Sequence, residues 1–130
     1  MELRRAVVEG VRIQMISGTH VLLLRDAEEA RYLPIPIGPN EASAISYHLQ
    51  GITPERPLTH DTALRAIRAL GATLREVRIT EVREETFRAR MMMVAPSGEE
   101  AELDARPSDA VALALRAGLH DVTEQSAPVG

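Results

Sequence analysis

The chain contains no cysteine, no lysine and no tryptophan. Without cysteine there are no disulfides, no thiolate nucleophile and no Cys-based zinc or iron–sulfur centre. Without lysine, a Schiff base, a lysine general base and a P-loop lysine are excluded. Aromatic residues are scarce, Tyr32, Tyr47 and Phe87 being the whole set, and the net charge is −4. Both features run against a dedicated nucleic-acid binder, which usually shows a basic surface and stacking platforms. No apolar run reaches membrane-spanning length. The opening "MELRRAVVEGVRIQM" lacks the apolar core and small-residue cleavage site of a signal peptide. These absences predict a soluble, cytoplasmic protein with no membrane role.

What is present is arginine: all fifteen basic residues are of this type. Arginine suits forked recognition of phosphate and carboxylate. The 130 residues fit one domain, expected over 1–122, with a flexible tail over 123–130.

The pattern along the chain predicts two strand meanders and three helices. Residues 4–16 place Val7, Val11, Ile13 and Met15 on one parity, interrupted by Glu9, and stop at Ser17-Gly18. "HVLLLR" (20–25) and "RYLPIPI" (31–37) flank the polar "DAEEA" as a hairpin, and Pro34 with Pro36 marks the second of these as an edge strand. A first helix is expected within 38–51, with Asn40 as N-cap, Glu41 in its first turn and Gly51 as its stop. A second is expected over 61–71, with Leu64, Ile67 and Leu70 on one face. Strands follow at 72–82, 86–94 and 100–105, the first two joined by a turn over 83–85, and a third helix covers 107–117. Nothing forces a parallel crossover, so the fold class is α+β with a mostly antiparallel sheet. The run Met91–Met93 reads as gap-filling in a core or an interface. Three helices on one side would leave part of the sheet bare, and with the methionines this predicts a homodimer.

Two helix starts carry similar equipment: "RPLTHD" (56–61) and "RPSD" (106–109). Capping accounts for Thr59, Pro107, Ser108 and Asp109, because side-chain oxygens accept orphan N–H groups and proline favours the first helical position. It leaves Asp104 and Arg106 unexplained; in an alternating strand they would face one side. His60, in a first turn where a cation is disfavoured, suits a neutral acceptor or general base. His20, His48 and His120 show no metal-ligand spacing.

The strings "LPIPIGPNEASAI" (33–45), "RPLTHDTAL" (56–64), the strand pair around Phe87 and "LDARPSDAVALAL" (103–115), in this order, resemble the bifunctional nuclease domain family over roughly residues 4–120. The resemblance implies an α+β fold, self-association, and hydrolysis of phosphodiester bonds in RNA and single-stranded DNA. Under that reading the two helix starts approach one another. Asp61, Asp104 and Asp109, with Glu41, would hold a divalent cation such as Mg²⁺ or Mn²⁺. Arg56, Arg106 and Ser108 would bind phosphate, and His60 would shuttle a proton, with Asp61, Asp104 and Asp109 sharing the catalytic work. Two alternatives stand beside it: a non-enzymatic, homo-oligomeric interaction or regulatory module in which the Asp–Arg pairs are structural, and a small-anion binder.

Overall fold

A computed structural model of the chain describes residues 3–83 and 86–125. In chain order the elements are β1 (Leu3–Ile13), β2 (His20–Asp26), β3 (Tyr32–Ile37), α1 (Pro39–Leu49), α2 (Thr59–Ala69), β4 (Thr73–Arg83), β5 (Thr86–Val94), β6 (Glu100–Ala105), α3 (Pro107–Arg116) and β7 (Asp121–Gln125). The two expected meanders are present, β1-β2-β3 and β4-β5-β6, and all pairs within them are antiparallel. They are halves of a single seven-stranded sheet of order β3-β2-β1-β7-β4-β5-β6. The turn expected over 83–85 lies partly outside the described residues.

β7 changes one expectation and refines another: the sheet is mostly antiparallel as expected, with one parallel pair. Residues 123–125 belong to a central strand rather than to a tail; 126–130 lie outside the described residues. β7 runs antiparallel to β1 and parallel to β4, which makes the sheet mixed. Its brevity explains why it escapes a periodicity reading: "DVTEQ" offers one apolar residue, Val122, and three strong hydrophilic ones. Central position comes from hydrogen bonding on both edges rather than from hydrophobicity.

Side-chain parity along β1 is broken by a β-bulge between Val8 and Gly10. Ala6 and Val8 face the core before it and Val11 packs against the same core after it, so Val7 and Val11 do not share a face as expected. Gly10, at φ 154, is the residue that takes the bulge conformation. A second bulge between Leu74 and Glu76 lets Leu74, Val77 and Ile79 all point inward. β3 is an edge strand, as its two prolines require.

α3 is the centre of the molecule. Ala110 through Leu115 are all buried, because small alanines alternate with Val111, Leu113 and Leu115 and allow close approach on every side. α1 and α2 both pack on α3; α1 also covers β1 and β2, and α3 rests on β4 and β5. Met91 is buried in this core and Met93 packs against it, while Met92 is buried on the other side of the strand. The methionines are therefore packed, and they do not form the exposed apolar surface invoked for self-association. The outer face of the sheet carries ion pairs instead, among them Arg5–Asp121, Arg78–Glu76 and Arg90–Glu102.

Because β7 alone joins the two meanders, ending the chain at Leu119 should abolish the single cooperative thermal transition seen by circular dichroism. In the full chain, Val122→Ala should lower unfolding free energy by about 1–3 kcal/mol in urea titration; no change in either measurement would mean that the seam carries little stability.

Candidate functional site

The first turns of all three helices are tied together by side chains. α1 begins after Gly38 with Pro39 as its first residue, α2 after Leu58, and α3 after Arg106 with Pro107 as its first residue. No N-cap side chain bonds its own helix start, so Asn40, Thr59 and Ser108 are not caps as expected. Proline at the first position removes one donor that would otherwise need a partner.

The centre of the cluster is Asp109. Its Oδ1 lies 2.8 Å from Nε2 of His60, and its Oδ2 accepts from Nε of Arg106 at 3.0 Å. The Arg106 guanidinium also donates to Oε1 of Glu41 at 3.0 Å. Glu41 folds back over Gly38, where a Cβ would stand 2.5 Å from its carboxylate oxygen, so the absence of a side chain there makes room for the acid. The two acids act together to push the Arg106 guanidinium above its ordinary range, the hydrogen bond to Asp109 foremost. Arg106 remains 69% exposed and Asp109 29%, so the cluster is neutralised but open to water. His60 also borders a cleft of about 410 Å³ that Asn40, Ser43 and Tyr47 line.

Asp61 goes elsewhere. It occupies the same third helical position in α2 that Asp109 occupies in α3, but its Oδ2 accepts from the Leu58 N–H at 2.8 Å and its Oδ1 from Nε of Arg116 at 2.6 Å. Burial works to raise its carboxyl, but the hydrogen bonds from Arg116 and Leu58 and the nearby arginine charges prevail and hold it below the ordinary carboxylate range. Arg116, nearly buried, also donates to the Ala112 and Ala44 carbonyls. It was not foreseen as a site residue; its signal was a charge directly after the apolar run 110–115. Beside it, burial lowers His48 first, and the charges of Arg116 and His120 lower it further.

Asp104 is separated from the cluster. It lies across from Arg90 in the β5–β6 register and borders an outer-face cavity with Thr80, Val82 and Arg88. The strand ends at Ala105 and Arg106 is already a helix cap, so the alternation expected to align 104 with 106 stops between them. Arg56 is exposed on the loop before α2. Ser108 is buried and, with Arg106, borders a separate cavity.

A cation held by Asp61, Asp104, Asp109 and Glu41 does not fit this arrangement. Asp61 is taken by Arg116, Asp104 faces away, and Glu41 and Asp109 share Arg106. Among the described residues no three His, Asp or Glu side chains converge as metal ligands.

The bifunctional nuclease domain matches residues 22–126 of the chain. Two Mycobacterium tuberculosis proteins, both described as uncharacterized, from strains CDC 1551 and H37Rv, are each 45% identical over 119 residues, which is 92% of this chain and 70% of theirs. No helix among the described residues is long and apolar enough to cross a membrane.

The depressed Asp61 carboxyl carries a pH signature. Its contribution to stability is present above the unfolded-state Asp value of about 3.9 and is lost as pH falls through the lower native value. Asp61→Asn should therefore cost about 1–3 kcal/mol at pH 7, and the gap between parent and variant should narrow toward pH 3. A gap that stays constant in urea titrations at the two pH values would contradict the ionic origin.

Proposed function

The chain belongs to the bifunctional nuclease domain family, and on that premise we propose that it hydrolyses phosphodiester bonds of RNA and single-stranded DNA at the cluster of His60, Asp109, Arg106 and Glu41. The observation that carries the reading is the 2.8 Å contact between His60 and Asp109. In the tautomer protonated at Nε2, His60 donates to the Asp109 carboxylate and Nδ1 is the lone-pair atom. A carboxylate-oriented imidazole beside an open cleft is the arrangement of a general base.

His60 Nδ1 takes a proton from the attacking oxygen, which is water or, in RNA, the ribose 2′-hydroxyl. The new phosphorus–oxygen bond forms, the bond to the leaving oxygen breaks, and His60 returns the proton to that oxygen. Arg106, largely exposed and held in orientation by two acids, faces the negative charge that grows on the phosphoryl oxygens. Asp109 and Glu41 position these two groups. No step is routed through a metal ion.

The alternative reading is a non-enzymatic, homo-oligomeric interaction or regulatory module. It is favoured by the pairing of Glu41, Asp61 and Asp109 each with an arginine, which also serves to tie helices together. A homodimer that cleaves nothing would support it.

The deciding measurement is cleavage of labelled single-stranded RNA and DNA by the purified chain, with light scattering on the same sample. Cleavage should persist in EDTA. His60→Ala should lower kcat/KM by about 10²–10⁴-fold, and Asp109→Asn should lower it with little loss of fold. Cleavage that is absent, or indifferent to both substitutions, sinks the hydrolytic reading.

A further inference from the structure

Another cavity, of about 420 Å³, is bordered by Arg106 and by Gly38, over which Glu41 folds. Its walls come from distant parts of the chain: Ile35 and Ile37 of β3, Phe87 of β5, and Arg106, Pro107 and Ser108 at the start of α3. The volume lies within the range of about 300–1,000 Å³ that holds small organic ligands. The walls are about equally polar and apolar, and one is the chain's single phenylalanine.

Ser108 is the informative residue. It is 5% exposed and borders the cavity, yet its hydroxyl makes no hydrogen bond to the protein and does not cap its helix. Its oxygen is not sealed from water, so the hydroxyl is free to bond a molecule that enters the cavity. The cavity therefore offers an aromatic ring, aliphatic side chains, the unpartnered Ser108 hydroxyl and an exposed guanidinium. The complement is a flat ring with hydrogen-bonding edges, attached to an anionic group. Those are the features of a nucleotide.

We infer that this cavity receives a base of the single-stranded nucleic acid, with the Ser108 hydroxyl bonded to the base edge, Phe87 against its ring, and Arg106 between the base and the hydrolytic cluster. The inference rests on the hydrolytic reading above for its choice of a strand over other nucleotides. It also bears on the scarcity of aromatics. A protein with few stacking platforms and little positive surface can still hold a strand by enclosing one base rather than by tracking a long backbone.

The test is fluorescence anisotropy with a labelled 2′-O-methyl octanucleotide, which removes the attacking 2′-hydroxyl, and a strand of equal length whose bases are absent. The base-bearing strand should bind at least about tenfold more tightly. Ser108→Ala should weaken that binding about three- to tenfold and Phe87→Leu about tenfold, with the abasic strand unaffected by either. Ser108→Ala should also melt at or above the parent temperature, because it removes a hydroxyl with no protein partner. Equal binding of the two strands, equal loss for both, or a marked fall in Tm of Ser108→Ala overturns the inference. A free mononucleotide that competes as well as the octanucleotide overturns the strand as the source. Base-dependent binding without cleavage would remove the hydrolytic reading and leave the base pocket standing; cleavage with base-independent binding would do the reverse.

Discussion

Residues 121–125 hydrogen-bond to β1 on one edge and β4 on the other, and these two ladders are what turn two meanders into one sheet. Each meander alone would present a bare edge strand at this position, with unpaired N–H and C=O groups. The consequence reaches beyond the sheet. α3 ends only a few residues before β7, so the placement of β7 in the seam leaves α3 over the middle of the sheet, where Ala110 to Leu115 are buried from all sides. α1 and α2 then have one common neighbour to pack against. The meeting of three helix starts is thus a result of where the last strand inserts.

That meeting decides the electrostatics. Asp61 and Asp109 sit at equivalent third positions of their helices and follow similar Arg-Pro strings, but the arginine is offset. Arg106 is the cap residue itself and reaches Asp109 three positions on. Arg56 lies two residues before the cap of α2, and Asp61 turns to the Leu58 N–H and to Arg116 from another helix. One acid becomes part of the internal framework, the other remains at the surface beside an imidazole. With every acid of the cluster matched to arginine, the burial of charge is compensated and the site keeps an open guanidinium.

Much of the architecture was legible because it rests on local rules. Three helices are announced by polar starts and glycine stops, and the edge character of β3 by two prolines that cannot donate to a second neighbour. The bulge at Gly10 was not legible, since a single inserted residue reverses parity without disturbing composition. Nor was β7, whose single apolar residue is too little for a periodic signal.

The candidate site divides along the same line. His60, Asp109, Arg106 and Glu41 were identifiable as chemically capable groups at helix starts, because first-turn positions are marked by residue type along the chain. Asp104 was grouped with them by extending strand alternation one step past Ala105, where the backbone becomes a helix cap. Residue order by itself determined which helices form, how they begin and which chemistry is available. The tertiary structure alone decided which of those groups meet, which acid is taken by Arg116, and that Ser108 is enclosed beside Phe87. The physical reason is that side-chain contacts across forty or more residues depend on the sheet's strand order, and strand order is set by hydrogen-bonded edges that no local pattern encodes.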